Sequence, residues 1–208
     1  MNRKDADKKG GVAIVVTAPS GTGKTSICKE VLKMNPGLRF SVSFTTRPPR
    51  PGEENGKDYY FISEGEFHRR IGQGEFLEWV DHFGHLYGTS ALNVNALRER
   101  GFDLILDLEP RGAKALKQKW SDGIFVFVLP PSLAELERRI RKRGFDTEEV
   151  IRERLDKATD EIKEVTWYDY VIFNEHLEEA IDCLRAIYIA ERSRSIRQAD
   201  KVRALIGS

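Results

Sequence analysis

Cysteine is almost missing from this chain of 208 residues: Cys28 and Cys183 stand far apart with no paired spacing, which excludes a disulfide scaffold and offers no zinc motif. So few thiols suit a reducing cytoplasm. Long apolar runs are missing too, since VAIVVTA at 12 to 18 breaks into a Pro-Ser-Gly turn and nothing approaches the roughly 20 apolar residues of a membrane-spanning helix. The opening MNRKDADKKGG is charged and lacks the apolar stretch of a signal peptide, so residues 1 to 10 read as a flexible tail. Neither charge dominates: 34 Lys plus Arg against 33 Asp plus Glu leave a formal net charge of +1. That removes any general attraction to nucleic acid or an anionic membrane, and confines an anion site to a local cluster. Repeats and low-complexity tracts are absent as well.

What is present is the material of one compact domain, 40% apolar. Four continuous β-rich runs, at 12 to 18, 102 to 108, 124 to 130 and 170 to 173, read as strands buried on both faces. Helical patterns lie between them, at 24 to 34, 91 to 100 and 132 to 142, so a doubly wound parallel α/β sheet is predicted. RFSVSF at 39 to 44 is a candidate fifth strand whose alternation also suits an edge or a hairpin. Residues 44 to 88, rich in Pro, Gly and aromatics, read as an insertion with its own short strands. Residues 131 to 157 read as an arginine-rich helical arm: Ser132 with Glu135 forms a capping box, Gly144 ends the helix, and Asp146 with Glu149 opens the next. Residues 11 to 43, 89 to 130 and 158 to 208 make up the core, with the last 30 residues predicted to pack on it.

The strongest motif is APSGTGKT, Ala18, Pro19, Ser20, Gly21, Thr22, Gly23, Lys24 and Thr25, which follows a buried strand and opens a helix. Gly21 and Gly23 let backbone N–H groups converge on phosphate, and the helix N-terminus adds partial positive charge. Lys24 would bridge the β- and γ-phosphates, and Thr25 would give a hydroxyl to Mg²⁺. The plainer alternative is a glycine-rich turn. The strict pattern has glycine where Ala18 stands, and the Asn-Lys-x-Asp guanine motif of regulatory GTPases is absent. Alone, the loop indicates a nucleoside triphosphate and no particular acceptor.

The acceptor is suggested by SVSFTTRPPRPGEENGKDYYF at 41 to 61, with FLEW at 76 to 79 and LYGTS at 86 to 90. Arg47 and Arg50, three apart in a proline-stiffened loop, offer two planar forks to one dianionic phosphate, with the hydroxyls of Tyr59 and Tyr87 to complete its shell. A solvated basic loop is the alternative for the segment taken alone. In their order these motifs resemble the GMP-binding region of guanylate kinases, P-loop nucleoside monophosphate kinases, over about residues 12 to 190. The resemblance implies a P-loop α/β core with a GMP-binding insertion at 44 to 88 and a helical lid at 131 to 157, transferring the γ-phosphoryl group of ATP to GMP with Mg²⁺.

By that resemblance Arg47, Arg50, Tyr59 and Tyr87 contact the GMP phosphate, and Glu53 steadies an arginine. Glu78 carries base choice: guanine presents N1–H and N2–H₂ as adjacent donors and a carboxylate only accepts, whereas adenine has an acceptor at N1. Ser43 and Thr89 fall near the O6/N7 edge, and Glu109 is a second acceptor for N2; the family commonly has Ser and Asp at the Thr89 and Glu109 positions. Arg139, Arg143 and Arg154 clamp the ATP phosphates and stabilise the transferring group, while the remaining charges of the arm form a solvated helical face. Asp107, at a strand end, orders Lys24 or the Mg²⁺ waters, though aspartate there is also an ordinary turn residue. Asn174 matches an adenine-holding position and equally suits a turn or cap. The partners implied are ATP and GMP, with dGMP beside it, and neither nucleic acid nor membrane; an oligomer stays open. The rivals are a kinase for another phosphorylated acceptor and a non-catalytic guanylate-kinase-like binding module.

Overall fold

The computed structural model describes residues 11–120, 122–142 and 147–207. The tail expected at 1 to 10, and with it Arg143, Gly144 and Asp146, lies outside them. Five strands form one parallel sheet in the order β2 (Leu38–Phe40), β7 (Asp103–Asp107), β1 (Ala13–Thr17), β8 (Ile124–Leu129), β9 (Tyr170–Phe173). A second sheet runs β4 (Tyr60–Phe61), β3 (Phe44–Thr45), β6 (His85–Ser90), β5 (Phe76–His82), with β3–β4 parallel and the other pairs antiparallel.

Side chains alternate across a strand, so β1 fills two cores at once. Ile14 and Val16 face α1 (Lys24–Met34) and α7 (Leu177–Arg192), meeting Ile27, Val31, Ala180 and Leu184. Ala13 and Val15 face the opposite layer, α3 (Ala91–Glu99) and α4 (Pro110–Lys119), meeting Val94, Ala113 and Leu116. Two covered faces explain why the strand sequences are continuous apolar runs.

The run at 39 to 44 does not form one strand. Leu38–Phe40 is the outer strand of the parallel sheet, whereas Phe44–Thr45 belongs to the second sheet. Between them Ser41 N still donates to Ile105 O at 2.9 Å, but the Ser43 carbonyl already accepts from Tyr60 N at 2.9 Å. An alternating sequence suits a half-buried edge, which β2 is, whereas β3 lies inside the second sheet between β4 and β6 with both residues buried.

In the arm, α5 (Leu133–Lys142) is capped by the Ser132 hydroxyl, which accepts from Glu135 N at 3.1 Å. α6 (Glu148–Lys163) starts at Thr147, whose hydroxyl is its cap. Leu136 and Ile140 pack on Ile151 and Ala158, giving the arm its own small core. The chain end divides: α7 buries Ala180, Leu184 and Tyr188, but α8 (Ser195–Ile206) buries nothing and is tied down at Arg197, whose guanidinium lies 3.1 Å from Asp122. Apolar spacing on α8 therefore did not mean core packing, because none of its residues is buried against the other described residues. The remaining helix, α2 (Glu64–Gly72), sits beside the second sheet and buries Phe67 against Phe76.

The chain lays β2 and β7 on one side of β1 before crossing to β8 and β9, so the carboxyl ends of the parallel strands open beside a reversal of strand order. Among the described residues no helix is long and apolar enough to cross a membrane.

Candidate active site

β1 ends at Thr17, and the loop 18 to 23 wraps back onto the start of α1. Gly21 and Gly23 have φ of 100° and 97°, values an L side chain resists. Gly23 is doubly constrained, because a Cβ there would lie 2.5 Å from Asn174 Nδ2. Asn174, buried after β9, spends its amide on the loop by donating to Thr22 O at 2.6 Å. Thr22 itself closes the turn by donating its hydroxyl to Pro19 O at 2.6 Å.

Lys24 leaves the first turn of α1 for the end of β7. Its ammonium donates to Leu108 O at 2.8 Å and pairs with the Asp107 carboxylate. Burial opposes the charge on Lys24, but Asp107, and then Glu109, outweigh it and raise the pKa. The ammonium therefore stays charged. Thr25 points its hydroxyl at Asp107 Oδ2, 3.4 Å away.

Two arginines of the arm reach the same loop. Arg139 donates to Thr22 O at 3.2 Å and Asn174 O at 3.1 Å while Glu135 holds its Nε at 2.7 Å. Arg154 Nη1 lies 3.1 Å from Ser20 Oγ. The loop is thus braced by Asn174 behind and by two guanidinium groups from α5 and α6.

Across the cleft, Arg47 is buried at 8% exposure and held by Glu53 Oε1 at 2.8 Å and Pro48 O at 2.7 Å. Burial works against its charge, and Glu53 more than restores it, so its pKa is raised. The other oxygen of Glu53 accepts from Arg50 N at 2.7 Å, which leaves the Arg50 side chain exposed. Tyr59 and Tyr87 stand edge to face 5.9 Å apart beside them, with Arg47 5.5 Å over the Tyr59 ring. One cleft of about 910 Å³ joins the phosphate loop to Arg47, Arg50, Tyr59 and Tyr87.

Deeper in lies a small pocket lined by Ser43, Glu78, Tyr87, Asp107 and Glu109. Glu78, in β5, is 5% exposed and accepts from the Thr89 hydroxyl, opposite it in β6, at 2.6 Å. Burial raises its pKa to about 7 against the partial relief from Thr89. Its carboxylate lies against the first turn of α4 at Gly112, where a Cβ would fall 2.2 Å from Oε2. Sequence reasoning missed Gly112, because the need for a bare Cα comes from a side chain 34 positions earlier in the chain. Glu109 is turned toward the β5–β6 hairpin, its Oε2 3.2 Å from His82 Nδ1.

Thr25 and Asp107 together supply a hydroxyl and a carboxylate, both hard oxygen donors. Among the described residues no group of three or more His, Cys, Asp or Glu could hold a metal ion. This donor set fits a magnesium ion that takes its other ligands from water and phosphate. Of the residues singled out in the sequence, the phosphate loop, Arg47, Asp107, Glu109, Tyr59, Tyr87 and Arg154 line the main cleft, Ser43 and Glu78 the pocket beside it, and Thr89, Asn174 and Arg139 support from behind. Arg143 lies outside the described residues.

The family profile described as guanylate kinase matches residues 11–191. A guanylate kinase of Syntrophus aciditrophicus is 51% identical over 208 residues, covering 100% of both chains. One from Geobacter metallireducens is 47% identical, over 94% of this chain and 96% of the relative. The crystal structure of a guanylate kinase from Anaplasma phagocytophilum superposes with a TM-score of 0.78 at 32% identity, covering 94% of each chain.

The raised pKa of Glu78 has a measurable consequence for stability. The folded protein holds this proton more tightly than the unfolded chain, from a reference of 4.5 to about 7. Its stabilising effect is therefore complete below the unfolded value and lost as pH climbs through the folded one. Between pH 5 and 8 wild type should lose roughly 2–3 kcal/mol that Glu78→Gln keeps. Urea denaturation at both pH values checks this, and identical losses in the two proteins would refute it.

Proposed function

The chain belongs to the guanylate kinase family and transfers the γ-phosphoryl group of ATP to GMP, and we propose the following assignment of its residues to that reaction. The observation that carries it is the single cleft running from the phosphate loop to the Arg47 cluster, with the Glu78 pocket beside it. The loop 18 to 25 holds the ATP phosphates through its backbone N–H groups, with Lys24 spanning β and γ. Arg139, Arg143 and Arg154 belong to the lid, 131 to 157, and neutralise charge on the group in flight. Asn174 acts on ATP through the loop it braces.

GMP enters the insertion, 44 to 88. Its phosphate meets Arg47, Arg50, Tyr59 and Tyr87, with Glu53 holding the two arginines in register. Arg47 then points one phosphate at the other. Guanine offers N1–H and N2–H₂ to the ionised Glu78, whose pKa near 7 lets it give up its proton to become the acceptor. Thr89 orients that carboxylate, Ser43 lies beside the base, and Glu109 takes the remaining N2 proton. Adenine would set a lone pair against the carboxylate, leaving both unsatisfied. No general base is needed, since the acceptor phosphate has a second pKa of about 6 and is largely ionised at neutral pH.

Thr25, with Asp107 behind it, would hold Mg²⁺, which when bound neutralises phosphate charge and orients the transferring group. The pocket reads the base edge and the phosphate, and no residue above is assigned to the ribose, so dGMP is proposed as a further acceptor. A cytoplasmic setting agrees with two free cysteines, one of them exposed.

A coupled ADP-release assay with GMP, AMP, UMP and dTMP tests the base assignment. GMP should be used at least about 10²-fold more efficiently than AMP, and Glu78→Gln should erase most of that ratio by lowering GMP turnover. Equal losses on GMP and AMP would make Glu78 structural. Lys24→Met should cut kcat by at least about 10³ with the KM for GMP nearly unchanged. Near-normal turnover would remove Lys24 from the chemistry. Gly112→Ala should keep the fold, because the atom in its way ends a side chain, yet displace the carboxylate and raise the KM for GMP about tenfold or more. An unchanged KM would show that Glu78 recognises the base from some other position.

A further inference from the structure

The hairpin between β5 and β6 turns in two residues, Phe83 and Gly84, with His82 facing His85 across it. Both turn residues have positive φ, 52° and 72°, and among the described residues Phe83 is the one non-glycine residue with such a value. Asn-Gly fills a turn of this kind without strain, whereas phenylalanine enters it against its own Cβ. The turn is secured by the Asp81 carboxylate, which accepts from Gly84 N at 3.0 Å, and asks nothing of an aromatic ring. Backbone strain persists only where surrounding contacts hold it, so the contacts of the ring are the place to look for its use.

Two cations of α6 lie over the half-buried Phe83 ring: Lys157 Nζ is 4.6 Å and Arg154 Cζ 5.2 Å from its centroid, both within reach of its negative face. Three apart on one helix, these two like charges repel, and the ring offers attraction to both. Lys157 has a second anchor on the hairpin, His82 Nδ1, 2.7 Å from its Nζ. An ammonium can only donate, so the imidazole accepts, and burial followed by the Lys157 charge lowers the His82 pKa to about 3, which keeps the ring neutral. Arg154 reaches onward from the ring to the phosphate loop, where its Nη1 lies 3.1 Å from Ser20 Oγ. The hairpin tip, the arm and the phosphate loop therefore meet at one guanidinium. We propose that Phe83 is a positioning residue for phosphoryl transfer, its ring holding the Arg154 guanidinium at the phosphate loop, so that the insertion aims a cation of the arm. This rests on the reading of Arg154 as a group that neutralises charge on the phosphoryl group in flight.

The test is steady-state kinetics with ATP and GMP on the full chain. Phe83→Leu keeps apolar bulk but has no aromatic face, and it should lower kcat about fivefold or more with less than about twofold change in the KM for GMP. Phe83→Tyr, which keeps the ring, should retain most of kcat. Phe83→Asn suits the positive φ better than phenylalanine does and should still lose as much kcat as Phe83→Leu. A Phe83→Asn enzyme with full turnover would show that only the shape of the turn matters, and would overturn the proposal. Arg154→Ala should lower kcat by itself, and adding Phe83→Leu to it should change nothing more. Additive losses in the double variant, or a loss confined to the KM for GMP, overturn the proposal. An Arg154→Ala effect with no Phe83→Leu effect overturns it and leaves the reading of Arg154 standing. If Arg154→Ala leaves kcat intact, the reading of Arg154 falls and the role of Phe83 falls with it.

Discussion

One buried ammonium organises this protein. Lys24 takes its charge out of water at the start of α1, and the Asp107 carboxylate and the Leu108 carbonyl at the end of β7, helped by the charge of Glu109, make that tolerable. Burying a charge costs several kcal/mol, and removing one partner of such a pair typically costs about 3–5 kcal/mol. The pair therefore ties the start of α1 to the end of β7. It also fixes the lysine beside the loop 18 to 23, where the proposed assignment puts the ATP phosphates, and it places Thr25 against the same carboxylate.

The other cations obey the same constraint. Two arginines at the cleft are already held before any anion enters: Arg47 by Glu53, and Arg139, behind the loop, by Glu135 and two backbone carbonyls. Side chains held this way lose little further freedom on binding, which is how a site built of long flexible residues reaches a defined geometry. Carboxylates near the cleft divide by task. Glu53 and Glu135 hold cations, whereas Glu78 has no cation in bonding contact among the described residues, accepts from the hydroxyl and the backbone N–H of Thr89, and has its pKa lifted into the neutral range by burial. That difference in environment separates the carboxylates that hold cations from the one proposed to recognise the base.

The four main strands and the helices between them were legible in the sequence because burial on two faces leaves continuous apolar runs. The run at 39 to 44 misled because alternation identifies a half-exposed strand without saying which sheet it joins. Residues at the chain end misled similarly: helical spacing of apolar residues is the same in α7, which has a sheet to cover, and in α8, which has none.

By itself the sequence determined the chemistry on offer: a phosphate loop after a buried strand, paired arginines in a stiffened loop, and a glutamate beside them. These are local signals, read from residues within one or two turns of each other. Tertiary structure alone decided what depends on contacts between distant segments. It set Gly112 against Glu78, turned Asn174 from a strand end into a brace for the loop, and brought Glu109 beside a histidine of the β5–β6 hairpin. Such relations leave no local mark, because the constraint on each residue is exerted by an atom that only folding brings within reach.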